Sequence, residues 1–114
     1  MSDIHLDHSV LSALRDVMED EFPVLLDTFL ADSAERLRQI QQASDLADSQ
    51  ALRLAAHSFK GSCSNMGAPS LAGLCKQLED MARREQLTDV PALLVQIEEE
   101  FLVVHDLLQQ EHRG

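Results

Sequence analysis

Apolar residues recur at three- and four-residue steps along almost the whole chain. Between Asp7 and Asp20 they fall at Val10, Leu11, Leu14, Val17 and Met18, which predicts a short first helix. Pro23 then interrupts, and proline suits the first turn of a new helix, where its missing N–H costs nothing. Val24, Leu25, Leu26, Phe29, Leu30, Leu37 and Ile40 mark a second helix of about five turns. The polar stretch Asp45–Ser49 reads as a connector. Leu52, Ala55, Ala56, Phe59, Cys63 and Met66 carry a third helix, which Gly67 is placed to end in the left-handed conformation. Pro69 opens a fourth, with Leu71, Leu74, Cys75, Leu78 and Met81 on its apolar side. Thr88 and Asp89 can cap a fifth, carrying Leu93, Leu94, Ile97, Phe101, Val104 and Leu108. No stretch alternates apolar and polar as a half-buried strand does.

Short connectors place consecutive long helices antiparallel. The expected fold is all-α: an up-down-up-down four-helix bundle with a short additional N-terminal helix. The short helix covers about residues 7–20 and the bundle about 23–111, within a single domain spanning 1–114.

Composition narrows what such a bundle does. The chain has 114 residues, 45% of them hydrophobic, which is too apolar for a disordered segment. Its formal net charge of −11 repels phosphate backbones, and without Trp or Tyr it lacks the usual platforms for stacking bases. Nucleic acid is therefore not an expected partner. The start of the chain is polar and acidic, unlike a signal peptide. The longest apolar runs, Val90–Val95 and Phe101–Val104, fall far short of the ~20 residues of a membrane span. The expected location is the cytoplasm. Cys63 and Cys75 do not form a metal-type CxxC pair and read as small core residues in a reducing compartment.

Candidate chemistry rests on the histidines. His5 and His8 lie in a start expected to fray, and Asp3 and Asp7 are thin support for a metal there. His105 and His112 lie near the end of the last helix, where a cation suits the helix dipole. All four read as solvated surface residues. Carboxylate-bridged metal bundles need Glu-x-x-His motifs, and the chain has none, so no metal site is expected. No glycine-rich phosphate loop occurs, so no ATP site is expected either.

His57 differs in its company. On a helical wheel, Leu52, Ala55, Ala56, Phe59, Cys63 and Met66 gather on one side. Arg53, His57, Lys60, Gly61 and Ser64 gather on the other, so His57 is expected to face solvent with Lys60 one turn on. Gly61 inside a helix costs ~1 kcal/mol relative to alanine, which suggests that something approaches the backbone there. A neutral imidazole is a competent nucleophile, and its reference pKa near 6.5 leaves much of it neutral at cytoplasmic pH. A phosphoryl group on it adds charge that Lys60 can pair with. Periodicity alone does not decide between this and a surface His, Lys and Gly without a role.

The run His57-x-x-Lys60-Gly61-Ser62-x-x-x-x-Gly67-Ala68 resembles the signature of histidine-containing phosphotransfer (HPt) domains. Asp20–Asp32, with Leu25-Leu26-x-x-Phe29, resembles that family's second helix, and Leu71–Glu79 resembles the helix after the phosphorylated one. The resemblance covers roughly residues 7–110. It implies a phosphocarrier, not an enzyme, in a two-component phosphorelay. His57 would accept a phosphoryl group from the receiver-domain aspartate of a hybrid sensor kinase and pass it to a response regulator. Lys60 would neighbour the phosphate and support the partner contact, while Gly61 and the small Ser62 would give the receiver clearance. Some members add a Gln and a basic residue from the next helix. Here Glu79 stands at the first position, which leaves a hydrogen bond to the imidazole open. Arg83 stands at the second, with Arg84 as its competitor. The receiver would bring the acidic pocket and Mg²⁺, so no cofactor is expected on this chain, and the family implies a monomer.

Two other readings remain open on the residues alone. An acidic helical bundle can serve as an interaction module without phosphate. An enzyme pairing Cys63 or Cys75 with His57 is disfavoured because the wheel puts Cys63 on the core side.

The charge is also unevenly spread. Arg53–Arg84 holds five basic and two acidic residues, a local balance of +3, and the remainder carries −14. The segment around His57 is thus suited to a phosphate and to an acidic receiver pocket.

Overall fold

A computed structural model describes residues 4–113, the side chains of His112 and Arg113 excepted. The predicted readings of Asp3 and of the His112 side chain therefore lie outside the described residues.

Helix α1 spans His8–Met18 and starts on Asp7, whose carboxylate accepts from the backbone N–H groups of Ser9 and Val10. The Ser9 hydroxyl also donates to Asp7, at 2.6 Å, and holds its carboxyl below the ordinary range. From Ile4 onward the chain is anchored, where fraying was expected. The Asp7 N–H donates to the Gly67 carbonyl at 2.7 Å, and the Ser70 N–H donates to the Ile4 carbonyl at 3.2 Å. Residues 4–7 are thereby strapped across the turn that follows the third helix, with Leu6 buried beneath them. The chain turns at Glu19, which has a positive φ, through one 3-10 turn at Glu19–Glu21.

Helix α2, Phe22–Asp45, carries Pro23 in its first turn. It has 24 residues and outruns the expected five turns. Helix α3, Ser49–Asn65, is capped by Asp48, which accepts from the Ala51 N–H. Helix α4 spans Pro69–Arg83 and α5 spans Val90–Arg113. Gly67, with φ +77°, ends α3 as the sequence predicts, and Asp89 immediately precedes α5.

The four long helices close into the up-down-up-down bundle. Each packs on its chain neighbour, α5 returns against α2, and α1 leans on the start of α2. One apolar core runs through them, from Leu26 and Ile40 of α2 to Ile97 and Leu108 of α5. Two of the expected apolar positions point outward instead: Val17 is 79% exposed and Val24 56% exposed. Val17 sits in the last turn of α1, a helix that buries only Leu11. Val24 lies off the buried stripe set by Phe22, Leu26, Phe29 and Leu30. Many buried residues of α3 and α4 are small: Ala55, Ala56, Cys63, Ala72, Cys75 and Ala82. Small residues at a contact shorten the interaxial distance. That brings side chains of α4 within reach of the outer face of α3.

Candidate functional site

Among the described residues, Ser33 and Glu79 are the buried polar side chains. Glu79 sits on the inward stripe of α4, four residues after Cys75 and directly after Leu78. It is 3% exposed. A carboxylate this dry is costly unless several donors meet it. Three do.

The Lys60 ammonium donates to Glu79 Oε1 at 2.6 Å. His57 Nδ1 lies 2.8 Å from Glu79 Oε2. The Arg83 guanidinium reaches the same oxygen at 3.3 Å and donates to Asp80 Oδ1 at 3.2 Å with its other amino group. The hydrogen bond from Lys60, followed by that from His57, holds the Glu79 carboxyl below the ordinary carboxylate range against the opposing pull of burial. Glu79 is therefore ionised near neutral pH and can only accept. It follows that Nδ1 of a neutral His57 carries the proton and Nε2 keeps a free lone pair. Nε2 has no partner among the described residues, and the His57 side chain is 64% exposed. The result is an imidazole gripped on one edge and open on the other.

Local sequence explains the placement. His57 and Lys60 are three residues apart on α3, so both lie over the α3–α4 seam where Glu79 emerges. Glu79 and Arg83 are one turn apart on α4. Gly61 is one turn beyond His57, and a Cβ placed there meets nothing within 4 Å. Ser62 is exposed on the side nearer α2, with its hydroxyl donating to the Ser58 carbonyl at 3.3 Å. Ser64 is exposed on the outer face, and Arg53 is half-buried one turn before His57, without an ion pair among the described residues.

The structure thus brings His57, Lys60 and Arg83 together on one carboxylate, with Gly61 one turn beyond His57, whereas Ser62 faces the α2 side and lies outside the cluster. Arg53 and Ser64 share the face but not the cluster. Arg83, and not Arg84, reaches the cluster. Glu79 is the residue that reading by motif left without a role. One signal was present in the sequence: a carboxylate set directly in the buried register of an amphipathic helix.

Of the other histidines, His5 and His105 are half-buried, whereas His8 is exposed as expected. His5 Nδ1 lies 2.7 Å from Glu100 Oε2, because the strapped N-terminus holds it against α5. His8 lies 3.6 Å from Glu111, and His105 lies 3.5 Å from Asp106. Cys63 and Cys75 are both fully buried, and a hydrogen bond from Cys75 together with burial pushes the Cys63 thiol far up. Both thiols are sealed in the core while the His57 imidazole is exposed, which argues against the Cys–His reading. Among the described residues no cluster of three or more His, Cys, Asp or Glu could hold a metal ion. No helix among the described residues is long and apolar enough to cross a membrane.

Comparison with known proteins points one way. The Hpt domain family model matches residues 24–112. The crystal structure of histidine-containing phosphotransfer protein B (HptB) from Pseudomonas aeruginosa PAO1 is 57% identical, with a TM-score of 0.95. That match covers 98% of this chain and 97% of the other. The HPT domain of a sensor hybrid histidine kinase from Shewanella shares the fold at 19% identity, with a TM-score of 0.75 over 93% of this chain and 92% of that one. No curated protein sequence matches the chain.

Proposed function

The chain belongs to the Hpt family, the phosphocarrier domains that work with receiver domains in phosphorelays, and from that premise we propose that His57 is its phosphoryl acceptor. The observation that carries this reading is the open Nε2 of an imidazole whose Nδ1 is held 2.8 Å from a buried carboxylate. Nε2 attacks the phosphorus of a receiver aspartyl phosphate. The N–P bond forms as the P–O bond to the aspartate breaks, and the aspartate leaves as a carboxylate. Discharge to a second receiver reverses these steps. Transfers of this kind depend mostly on positioning and charge stabilisation.

This chain supplies the positioned imidazole, with Lys60 and Arg83 as the nearest positive charges. The receiver supplies the acidic pocket and its Mg²⁺. Gly61 and Ser62 give the receiver room at the α3 surface. Beside Ser62, a groove of about 280 Å³ with Leu14, Leu25, Phe29 and Met66 in its walls offers apolar area to the docked partner. The donor is the receiver of a hybrid sensor kinase and the acceptor a response regulator. The chain acts as a cytoplasmic monomer and takes its phosphate from these partners, not from ATP.

The test is to incubate the chain with phosphorylated receiver domains and map acid-labile phosphate. His57 should carry the label, and His57→Gln should lose it while keeping the fold and the ability to dock. Label on any other residue sinks the assignment.

A further inference from the structure

We propose that Glu79 is a positioning residue that keeps the proton on His57 Nδ1 through both halves of the transfer, so that the phosphorylated imidazole stays a competent leaving group at neutral and mildly alkaline pH. The proposal rests on His57 accepting phosphate at Nε2.

The chemistry turns on where one proton resides. In the resting imidazole it sits on Nδ1, against Glu79 Oε2. When Nε2 attacks phosphorus, its lone pair becomes the N–P bond. The ring then carries a positive charge if Nδ1 keeps its proton. When a receiver carboxylate attacks that phosphorus, the N–P bond breaks and its electron pair returns to Nε2. From the Nδ1-protonated ring the leaving group is neutral imidazole, the resting state. From a ring that has lost the proton, the leaving group is an imidazolate anion, a far poorer one. Whatever holds the proton on Nδ1 therefore decides whether phospho-His57 can discharge.

Glu79 is built to hold it. The carboxylate is buried, and its position is fixed from two further sides by Lys60 at 2.6 Å and Arg83 at 3.3 Å. It is charged, so it favours the positive form of the ring as well as the hydrogen bond. A glutamine at this position accepts the same hydrogen bond through its amide oxygen but brings no charge.

The other charges around the ring are accounted for. Lys60, and Arg53 one turn earlier, lie on its own helix. On α4, Arg83 and Asp80 stand behind Glu79, and Lys76 reaches Asp80 at 3.5 Å. On α2, Asp32 and Arg36 line the groove next to Ser62 and make no contact with the imidazole. Glu79 is the one negative group that touches the ring among the described residues. An opposite charge within 4–6 Å typically moves a titration by about 1–3 units, and two cations share this carboxylate, so a shift of about one unit is expected.

The experiment loads wild type and Glu79→Gln with phosphoramidate, a chemical donor that needs no partner, and maps the phosphate. Loss of phosphate is then followed from acid to alkaline pH. The wild-type rate should begin to fall about one pH unit higher than that of Glu79→Gln, about a tenfold difference on the alkaline limb. The ¹⁵N shift of Nδ1 in wild-type phospho-His57 gives a readout independent of any variant. Its pH midpoint in the folded chain should lie about one unit above that of the same chain unfolded in urea. Coincident midpoints, or superimposed rate profiles, overturn the role of Glu79. Phosphate on His57 with coincident profiles overturns this proposal alone, whereas phosphate elsewhere overturns the acceptor assignment and this proposal with it.

Discussion

Gly61 is the residue whose cost and use separate most cleanly. It lies inside α3, where glycine gives up ~1 kcal/mol relative to alanine, and its missing side chain leaves open space. Gly61→Gln should therefore raise the urea midpoint, by up to about 1 kcal/mol of stability, because glutamine favours a helix. The same variant should slow receiver-dependent transfer at least about tenfold, since each 1.36 kcal/mol lost in the docked complex is a factor of ten. A parent-like transfer rate removes the clearance argument. Glu79 carries a pH prediction of its own. Its folded carboxyl titrates below the ordinary value of 4.5, chiefly through Lys60. Stability from that shift is complete above the ordinary value and is lost as pH falls through it toward the folded one. Below about pH 4.5 the wild-type urea midpoint should fall more steeply than that of Glu79→Gln. Equal slopes would show that the buried carboxylate contributes nothing through its charge. The family resemblance supplied the expected roles of His57, Lys60 and Gly61, and their shared outward face was legible because a helical wheel needs only spacing. Glu79 was not, because its role comes from α4 lying close against α3, and spacing within one helix carries no information about a neighbour's distance.

Helix ends show where local sequence rules stop short. Helices α2, α3 and α4 end alike, each with a left-handed residue followed by a backbone N–H that reaches back five residues. Asp48 N–H donates to the Ala43 carbonyl, Ala68 N–H to Cys63 and Gln86 N–H to Met81. The left-handed residues are Ala47, Gly67 and Glu85. Only Gly67 announces itself in sequence, and the stop of α3 was read from it. The end of α2 falls at an alanine, which is a helix former, so the polar connector located the break but not the turn that makes it. The left-handed conformation costs a residue with a Cβ about 1–2 kcal/mol, partly offset by the ~0.5–1 kcal/mol of flexibility that glycine loses on folding. Ala47→Gly should thus stabilise the chain by up to about 1 kcal/mol, read as a higher urea midpoint with an unchanged slope. Gly67→Ala should do the reverse. Its Cβ would sit 2.9 Å from Val10 Cβ at φ +77°, and the same turn anchors the N-terminal strap through Asp7. A loss of at least about 1–2 kcal/mol is expected from the backbone conformation alone.

At the scale of the whole molecule, hydrophobic pattern and charge play separate parts. Four amphipathic helices with short connectors admit few arrangements, so the bundle was legible from periodicity. The strap of residues 4–7 was not, because its anchors are backbone groups and a long-range His5–Glu100 pair, which leave no periodic trace. Charge does not select the fold, yet it taxes it. The chain carries −11 overall, and the part outside Arg53–Arg84 carries −14. Some of its carboxylates, Glu98 and Glu99 of α5 among them, are exposed and have no ion-pair partner among the described residues. Compacting such a chain brings like charges within a few ångströms of one another, and the repulsion opposes folding. Salt relieves it, because the Debye length falls from ~10 Å at about 0.1 M to ~3 Å at about 1 M. Heating the chain in rising sodium chloride at neutral pH should therefore raise the Tm by at least a few degrees, the shift that about 1 kcal/mol produces in a domain near this size. The cluster at Glu79 should resist that screening, since its carboxylate is buried and its partners touch it directly. Glu79→Gln should accordingly show the same salt-dependent gain as wild type. A Tm that stays flat or falls with salt would mean that the ion pairs being screened outweigh the repulsion, and that the acidic scaffold costs the fold nothing.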